Sequence, residues 1–277
     1  MITFIIAAIV IALIVVACGG GSGGGSNSSP ATSPPPITRG DKVETGYFGM
    51  FDNESAETAD HVSYVMPLDW GVWDRDQVFI QQRIIQQLQE AQAHGIKKAV
   101  VAVGFLTWSS SGNYALKGTQ YLQVFRTQLE ALGLLDMIEA LYPIDEPDLA
   151  IKELGLTEAV LEQGLINVHT VFPEKHLMVI YGTHGGYPAQ QFYDIVGKDD
   201  YGHGLVTMDL LPNQRLALVR GGADPYKEDP TPAVDYALAH PEVQYIVNFL
   251  YGDYSAGKGI RNNGMLPIYK TQGQRLL

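Results

Sequence analysis

Six consecutive residues, Tyr142-Pro143-Ile144-Asp145-Glu146-Pro147, set two carboxyl groups side by side where an apolar run ends, and the proline stops the run. A carboxyl that keeps its proton near neutral pH is a general acid, and an ionised one is a base or nucleophile. Adjacent acids hold protons more tightly because each disfavours the other's charge. Reactive side chains recur in this position along the chain. The ends of successive apolar runs carry Asp52, then Asp69 with Trp70, then Trp108, then Asp145 and Glu146, then His184, then Asp209, then Arg220 with Asp224, and finally Tyr251 with Asp253. Carboxylates interleaved with Trp and Tyr suit sugars, since aromatic faces stack on the apolar face of a pyranose while carboxylates bind hydroxyls or move protons. The starts of the runs are plainer, with Lys97, Lys98 and Arg215 as ordinary solvated charges.

The Asp145-Glu146-Pro147 step resembles the Asn-Glu-Pro signature of the large clan of retaining (β/α)₈ glycoside hydrolases, whose fourth-strand glutamate is the general acid/base. The resemblance implies that Glu146 protonates the glycosidic oxygen. Asp145 stands where the family has asparagine, and its charge beside Glu146 would raise that group's pKa, as suits an acid. The resemblance also implies a nucleophilic glutamate at the end of the seventh strand. Here that stretch reads Leu216-Ala217-Leu218-Val219-Arg220-Gly221-Gly222-Ala223-Asp224-Pro225, with no glutamate before Glu228. Asp209, Asp224 and Asp253 are therefore the candidates for the second carboxylate, and Asp69, Trp70, Trp108, Asp145, His184, Arg220 and Tyr251 for the lining of the cleft. A chitinase-like, substrate-assisted route ranks lower. Its helper aspartate lies two residues before the glutamate, whereas Asp145 lies one before, and a regular pleat points it the other way. The rival class of function is a carbohydrate-binding pseudo-enzyme, supported by the missing seventh-strand glutamate.

Eight runs must position these groups. They cover residues 45–51, 61–67, 99–106, 137–144, 177–182, 205–210, 216–220 and 245–251, and their near-continuous apolar character is that of parallel strands buried on both faces. Helical periodicity fills several of the gaps. Phe79, Ile80, Ile84, Leu88 and Ala91 trace one helix from an Asp76 cap to Gly95, and others are expected over 119–132, from a Thr157 cap, over 231–239 and over 266–275. The body from Asp41 onward approaches the ~250 residues typical of a (β/α)₈ barrel, in which reactive groups gather where the strands end. The expected fold class is thus α/β, a single TIM barrel over 41–277, with a doubly wound open sheet as the alternative.

Composition narrows the partners. Of 277 residues, 30 are Asp or Glu and 18 are Lys or Arg, a formal charge of −12 that repels nucleic-acid phosphates. The seven histidines form neither His-x-His nor His-Glu-x-x-His, so no metal and no other cofactor is expected. Gly221-Gly222 reads as a tight turn rather than a phosphate loop. The only cysteine, Cys18, ends an uncharged apolar segment through Val15-Val16-Ala17-Cys18, which resembles the lipobox of bacterial lipoproteins. That resemblance implies a signal peptide over 1–18, lipidation of Cys18, membrane attachment and a place in the bacterial cell envelope, facing the periplasm or exterior. An uncleaved membrane anchor is the other reading. Residues 19–40, rich in Gly, Ser and Pro, are expected to be a flexible tether of about 25 Å root-mean-square span.

Overall fold

Alternation within the apolar runs divides their side chains between two cores. A computed structural model describes residues 42–50, 54–67, 77–110, 113–183, 185–199, 201–254 and 257–277; the expected leader, Cys18 and the tether lie outside the described residues. The strands are β1 (Glu44–Met50), β2 (Tyr64–Pro67), β3 (Lys98–Ala102), β4 (Trp108–Ser110), β5 (Asn113–Leu116), β6 (Ile138–Tyr142), β7 (His176–Tyr181), β8 (Ile195–Lys198), β9 (Arg215–Gly221) and β10 (Val243–Phe249). Eight of them close a parallel barrel in the order β1-β10-β9-β8-β7-β6-β3-β2, while β4 and β5 form a separate antiparallel pair. The expected TIM barrel is the observed fold.

One set of alternate residues, including Tyr64, Val100, Tyr142, Ile180, Ala217 and Val247, fills the barrel interior. Large and small side chains interlock there. Tyr64 meets Tyr245 edge to face at 5.1 Å, and a Cβ on Gly46 would fall 2.6 Å from the Tyr64 carbonyl oxygen. The other set packs outward against helices α1 (Glu54–Thr58), α2 (Gln77–Ala93), α3 (Gly104–Thr107), α4 (Gln120–Ala131), α5 (Pro147–Glu153), α6 (Glu158–Val171), α7 (Thr231–Ala239) and α8 (Leu266–Gln274). The Thr157 cap forms as expected, its side chain accepting from the Val160 amide at 3.4 Å. At the amino-terminal end of the barrel Lys98 bridges Glu44 (2.6 Å) and Glu139 (2.7 Å), and Tyr245 donates to Glu139.

Two expectations need correction. The sixth barrel strand is β8, not residues 205–210, which take no regular structure. Leu205, Met208 and Leu210 are apolar because they pack on the outside of the barrel, and the true strand is only four residues long and contains Gly197. The third strand stops at Ala102, and the rest of its apolar run turns into α3. A third difference concerns the crossovers: among the described residues no α-helix joins β7 to β8 or β8 to β9. Among the described residues no helix is long and apolar enough to cross a membrane.

Candidate active site

Glu146 occupies the junction between β6, the fourth barrel strand, and α5. Its backbone is left-handed (φ 44°, ψ 61°), a conformation that costs a non-glycine residue about 1–3 kcal/mol and persists only where surrounding structure enforces it. The enforcement is visible. The Glu146 amide donates to the Ile180 carbonyl of β7 at 3.1 Å, Pro147 begins α5, and buried Asp148 accepts from the Gly182 amide at 2.9 Å. Glu146 and Asp148 thus tie one tight turn to the end of the neighbouring strand.

The turn opens on a cleft of about 140 Å³ lined by Phe48, Asp145, Glu146, Ile180, Asp199, Tyr201, Val219 and Phe249. Three carboxyl groups meet in it. Asp199, the first residue beyond β8, is hydrogen-bonded to Glu146 and receives a hydrogen bond from the Tyr201 hydroxyl. Tyr142 donates to Asp145 at 2.5 Å. Asp145 is exposed to solvent at the mouth, and its pKa is raised to about 7, first by desolvation on its protein-facing side; the Tyr142 bond opposes the rise and the charges of Glu146 and Asp148 add to it. Half-buried Asp199 is pushed up to about 8, first by burial, then by the charges of Glu146 and Asp145. A carboxyl raised in this way and hydrogen-bonded to Glu146 keeps a proton in the cleft near neutral pH, which is the equipment of a general acid.

Strand β9, the seventh of the barrel, ends at Gly221, whose place in the alternation with Ala217 and Val219 faces the barrel interior. A Cβ there would lie 2.8 Å from Cδ1 of Tyr201 and 3.2 Å from Cβ of Tyr226. The room for a seventh-strand side chain is taken by the Tyr201 ring, which stacks on Phe249 at 5.1 Å. Glu228, the first glutamate after the strand, accepts from the amides of Gly202 (2.8 Å) and Gly221 (2.7 Å) and so clasps the Tyr201 loop to β9.

The predicted site residues divide sharply. Asp145 and Glu146 line the cleft together. Arg220 points outward from β9 and is buried, donating to the carbonyls of Gly204 (2.6 Å) and Asp229 (3.1 Å). Tyr251 is buried outside the barrel against Tyr47 and donates to Glu57. Trp108 is fully buried, and a Cβ on Gly164 of α6 would fall 2.6 Å from its ring. Asp209 is exposed on the outer segment, Asp224 pairs with Lys227 at 3.1 Å, and Asp253 accepts from the Gly259 amide and the Asn262 side chain, both at 2.9 Å. None of these six lines the cleft. Asp52, Asp69, Trp70 and His184 lie outside the described residues. Asp199 and Tyr201 are not among the expected site residues, because the true sixth strand lies ahead of 205–210; the Asp199-Asp200-Tyr201 triplet is the signal in the sequence that marks its end. A wider depression of about 520 Å³ beside Val43, Val243 and Leu276 lies at the opposite end of the barrel and is lined by no Asp or Glu.

The fold belongs to a well-populated architecture. A GH2 β-galacturonidase from Eisenbergiella tayi superposes with a TM-score of 0.54 at 10% identity, over 85% of this chain and 51% of that one. The glycoside hydrolase family 30 subfamily 8 xylanase Xyn30A from Clostridium acetobutylicum gives 0.50 at 14% identity, over 84% and 70%. A cold-adapted β-galactosidase from Rahnella sp. R3 gives 0.53 at 8% identity, over 88% and 57%. The chain is thus a TIM barrel with distant structural similarity to glycoside hydrolases, and it spans about half the length of the galacturonidase. No protein-family model and no curated protein sequence matches it.

Proposed function

We propose that this barrel is a glycoside hydrolase acting on extracellular or cell-surface polysaccharide, with Glu146 as the general acid/base. The observation that carries this reading is the Glu146 carboxyl itself, held by a strained turn at the carboxyl-terminal end of the fourth strand and hydrogen-bonded to Asp199 inside an aromatic-walled cleft. Asp199 replaces Asp209, Asp224 and Asp253 as the partner carboxyl in this proposal, because the other three do not line the cleft. Asp145, fixed by Tyr142, is placed to bind a sugar hydroxyl. Attachment through a lipidated Cys18 at the bacterial envelope completes the proposal and rests on the Val15 to Cys18 motif alone.

The test is Glu146→Gln assayed on two substrates. General acid help is worth about 10²–10⁴ in rate, so the variant should lose that factor on natural saccharides yet keep most activity on an aryl glycoside with a strongly acidic phenol, whose departure needs little protonation. Equal loss on both substrates contradicts the acid role. The glycine at the end of the seventh strand favours a second reading, a sugar-binding protein without catalysis. Glycan binding unchanged by Glu146→Gln, with no glycan or aryl glycoside turned over by the parent protein, would establish it.

A further inference from the structure

Retaining glycosidases need a nucleophile beneath the anomeric carbon, and this cleft offers no seventh-strand carboxylate to supply one. Glu146 and Asp199 do not divide the roles of acid and nucleophile in the usual way, because they are in direct hydrogen-bond contact, whereas the two carboxyls of a retaining enzyme stand about 5–5.5 Å apart. The volume where the missing side chain would project is occupied instead by Tyr201.

Building on the glycosidase reading, we propose that Tyr201 is the catalytic nucleophile, activated by Asp199. A phenol paired with a carboxylate base is an established glycosidase nucleophile. Four features of the site serve that role. The Tyr201 ring lines the cleft beside Glu146 and stacks on Phe249. Its hydroxyl donates to Asp199, so the path for the phenol proton already exists. Burial and neighbouring charge raise the Asp199 pKa to about 8, and burial with the charges of Asp199 and Asp145 raises that of the Tyr201 phenol well above its ordinary value, so the phenol proton passes to Asp199 as the bond to the anomeric carbon forms rather than before it. Finally, the loop that carries the tyrosine is fastened to β9 by Glu228, through Gly202 and Gly221, and by Arg220, through Gly204. Glu228 and Arg220 are positioning residues in this scheme, and a buried clasp of this kind holds the ring over Gly221.

The step balances with the single proton of the carboxyl pair resting on Glu146. Tyr201 Oη bonds to the anomeric carbon while the bond from that carbon to the leaving oxygen breaks; the phenol proton passes to Asp199 and the Glu146 proton to the leaving saccharide. Water then attacks the anomeric carbon and gives a proton to Glu146, the carbon to Oη bond breaks, and Asp199 returns its proton to the phenolate. The sugar is released with its anomeric configuration retained.

The experiment treats the full chain with 2,4-dinitrophenyl 2-deoxy-2-fluoro-glycosides of the gluco, galacto, manno and xylo series, followed by mass mapping of peptides, alongside Tyr201→Phe assayed on the 2-hydroxy parent compounds. Expected results are a glycosyl adduct on Tyr201 and a loss on the order of 10⁴-fold or more in the phenylalanine variant, which keeps the ring and its packing. An adduct on any other residue, products of inverted configuration, or a phenylalanine variant within tenfold of the parent overturns the nucleophile assignment while leaving the glycosidase reading intact. Absence of turnover and of adduct across the whole panel overturns both.

Discussion

Replacing Asp199 by asparagine should make the protein more stable at alkaline pH, and the gain should vanish in acid. Protonated Asp199 is hydrogen-bonded to Glu146 and to Tyr201, and an asparagine amide reproduces both contacts without a charge. Because the folded pKa lies near 8, above the unfolded value of about 3.9, the carboxyl supports folding fully below about pH 4 and withdraws that support as pH climbs through about 8. Four units at about 1.36 kcal/mol each set a ceiling near 5 kcal/mol, and sharing of the proton with Glu146 brings the expected difference at pH 9 to about 2–5 kcal/mol. For a domain of this size that is a rise in Tm of about 5–15 °C. Scanning calorimetry of parent and variant from pH 5 to pH 9 measures it. Two curves that stay superimposed across the range would refute the claim that the cleft stores unfavourable charge. The same variant should lose activity, as expected where a site is held at the expense of stability.

Other outcomes follow from the same geometry. Glu146→Gly should raise stability by about 1 kcal/mol, because glycine takes the left-handed conformation freely, while abolishing turnover; chemical denaturation and a glycoside assay read the two effects. Asp148→Ala leaves the Gly182 amide without its acceptor and should cost about 1–3 kcal/mol in urea unfolding, whereas Asp148→Asn keeps an acceptor and should cost less. Gly197→Ala places a Cβ 2.7 Å from the Ala217 carbonyl oxygen inside the barrel wall, and thermal unfolding should show about 1–3 kcal/mol lost.

The barrel was legible because seven of its eight strands fall on apolar runs of the sequence, and the Asp145-Glu146-Pro147 step lies just beyond the end of the fourth strand. Strand β8 escaped because four residues including a glycine carry almost no periodic signal, while 205–210 imitates a strand by packing apolar side chains against the outer wall. Asp199 and Tyr201 were lost with it. Arg220 and Tyr251 were assigned to the cleft by position at a strand end, but on β9 side-chain direction depends on the phase of the pleat: Val219 and Gly221 face the interior, and Arg220 faces out. A composition rule misplaces Trp108 in the same way, since a tryptophan near a strand end is equally at home beneath a helix, and here Gly164 makes room for it there.

The crossover from β8 to β9 has a dynamic consequence. An α-helix protects its amides through its own ladder of hydrogen bonds, but residues 201–214 lack that ladder and are held by clasps, among them the Gln190 side-chain amide donating to the Asp209 carbonyl at 2.9 Å. Near the cleft Glu228 and Arg220 grip Gly202 and Gly204, and near the far end Gln214 donates to the carbonyls of Gln190 (2.7 Å) and Tyr193 (2.8 Å). Such a strap opens as a local unit, at a free energy set by its clasps rather than by global unfolding. Its amides should therefore exchange with solvent ahead of those in the barrel strands. One wall of the cleft, the one bearing Tyr201, is in this sense a hinged panel on a rigid cylinder, and loosening Glu228 would change how often the cleft is open while freeing only the last amide of β9, that of Gly221.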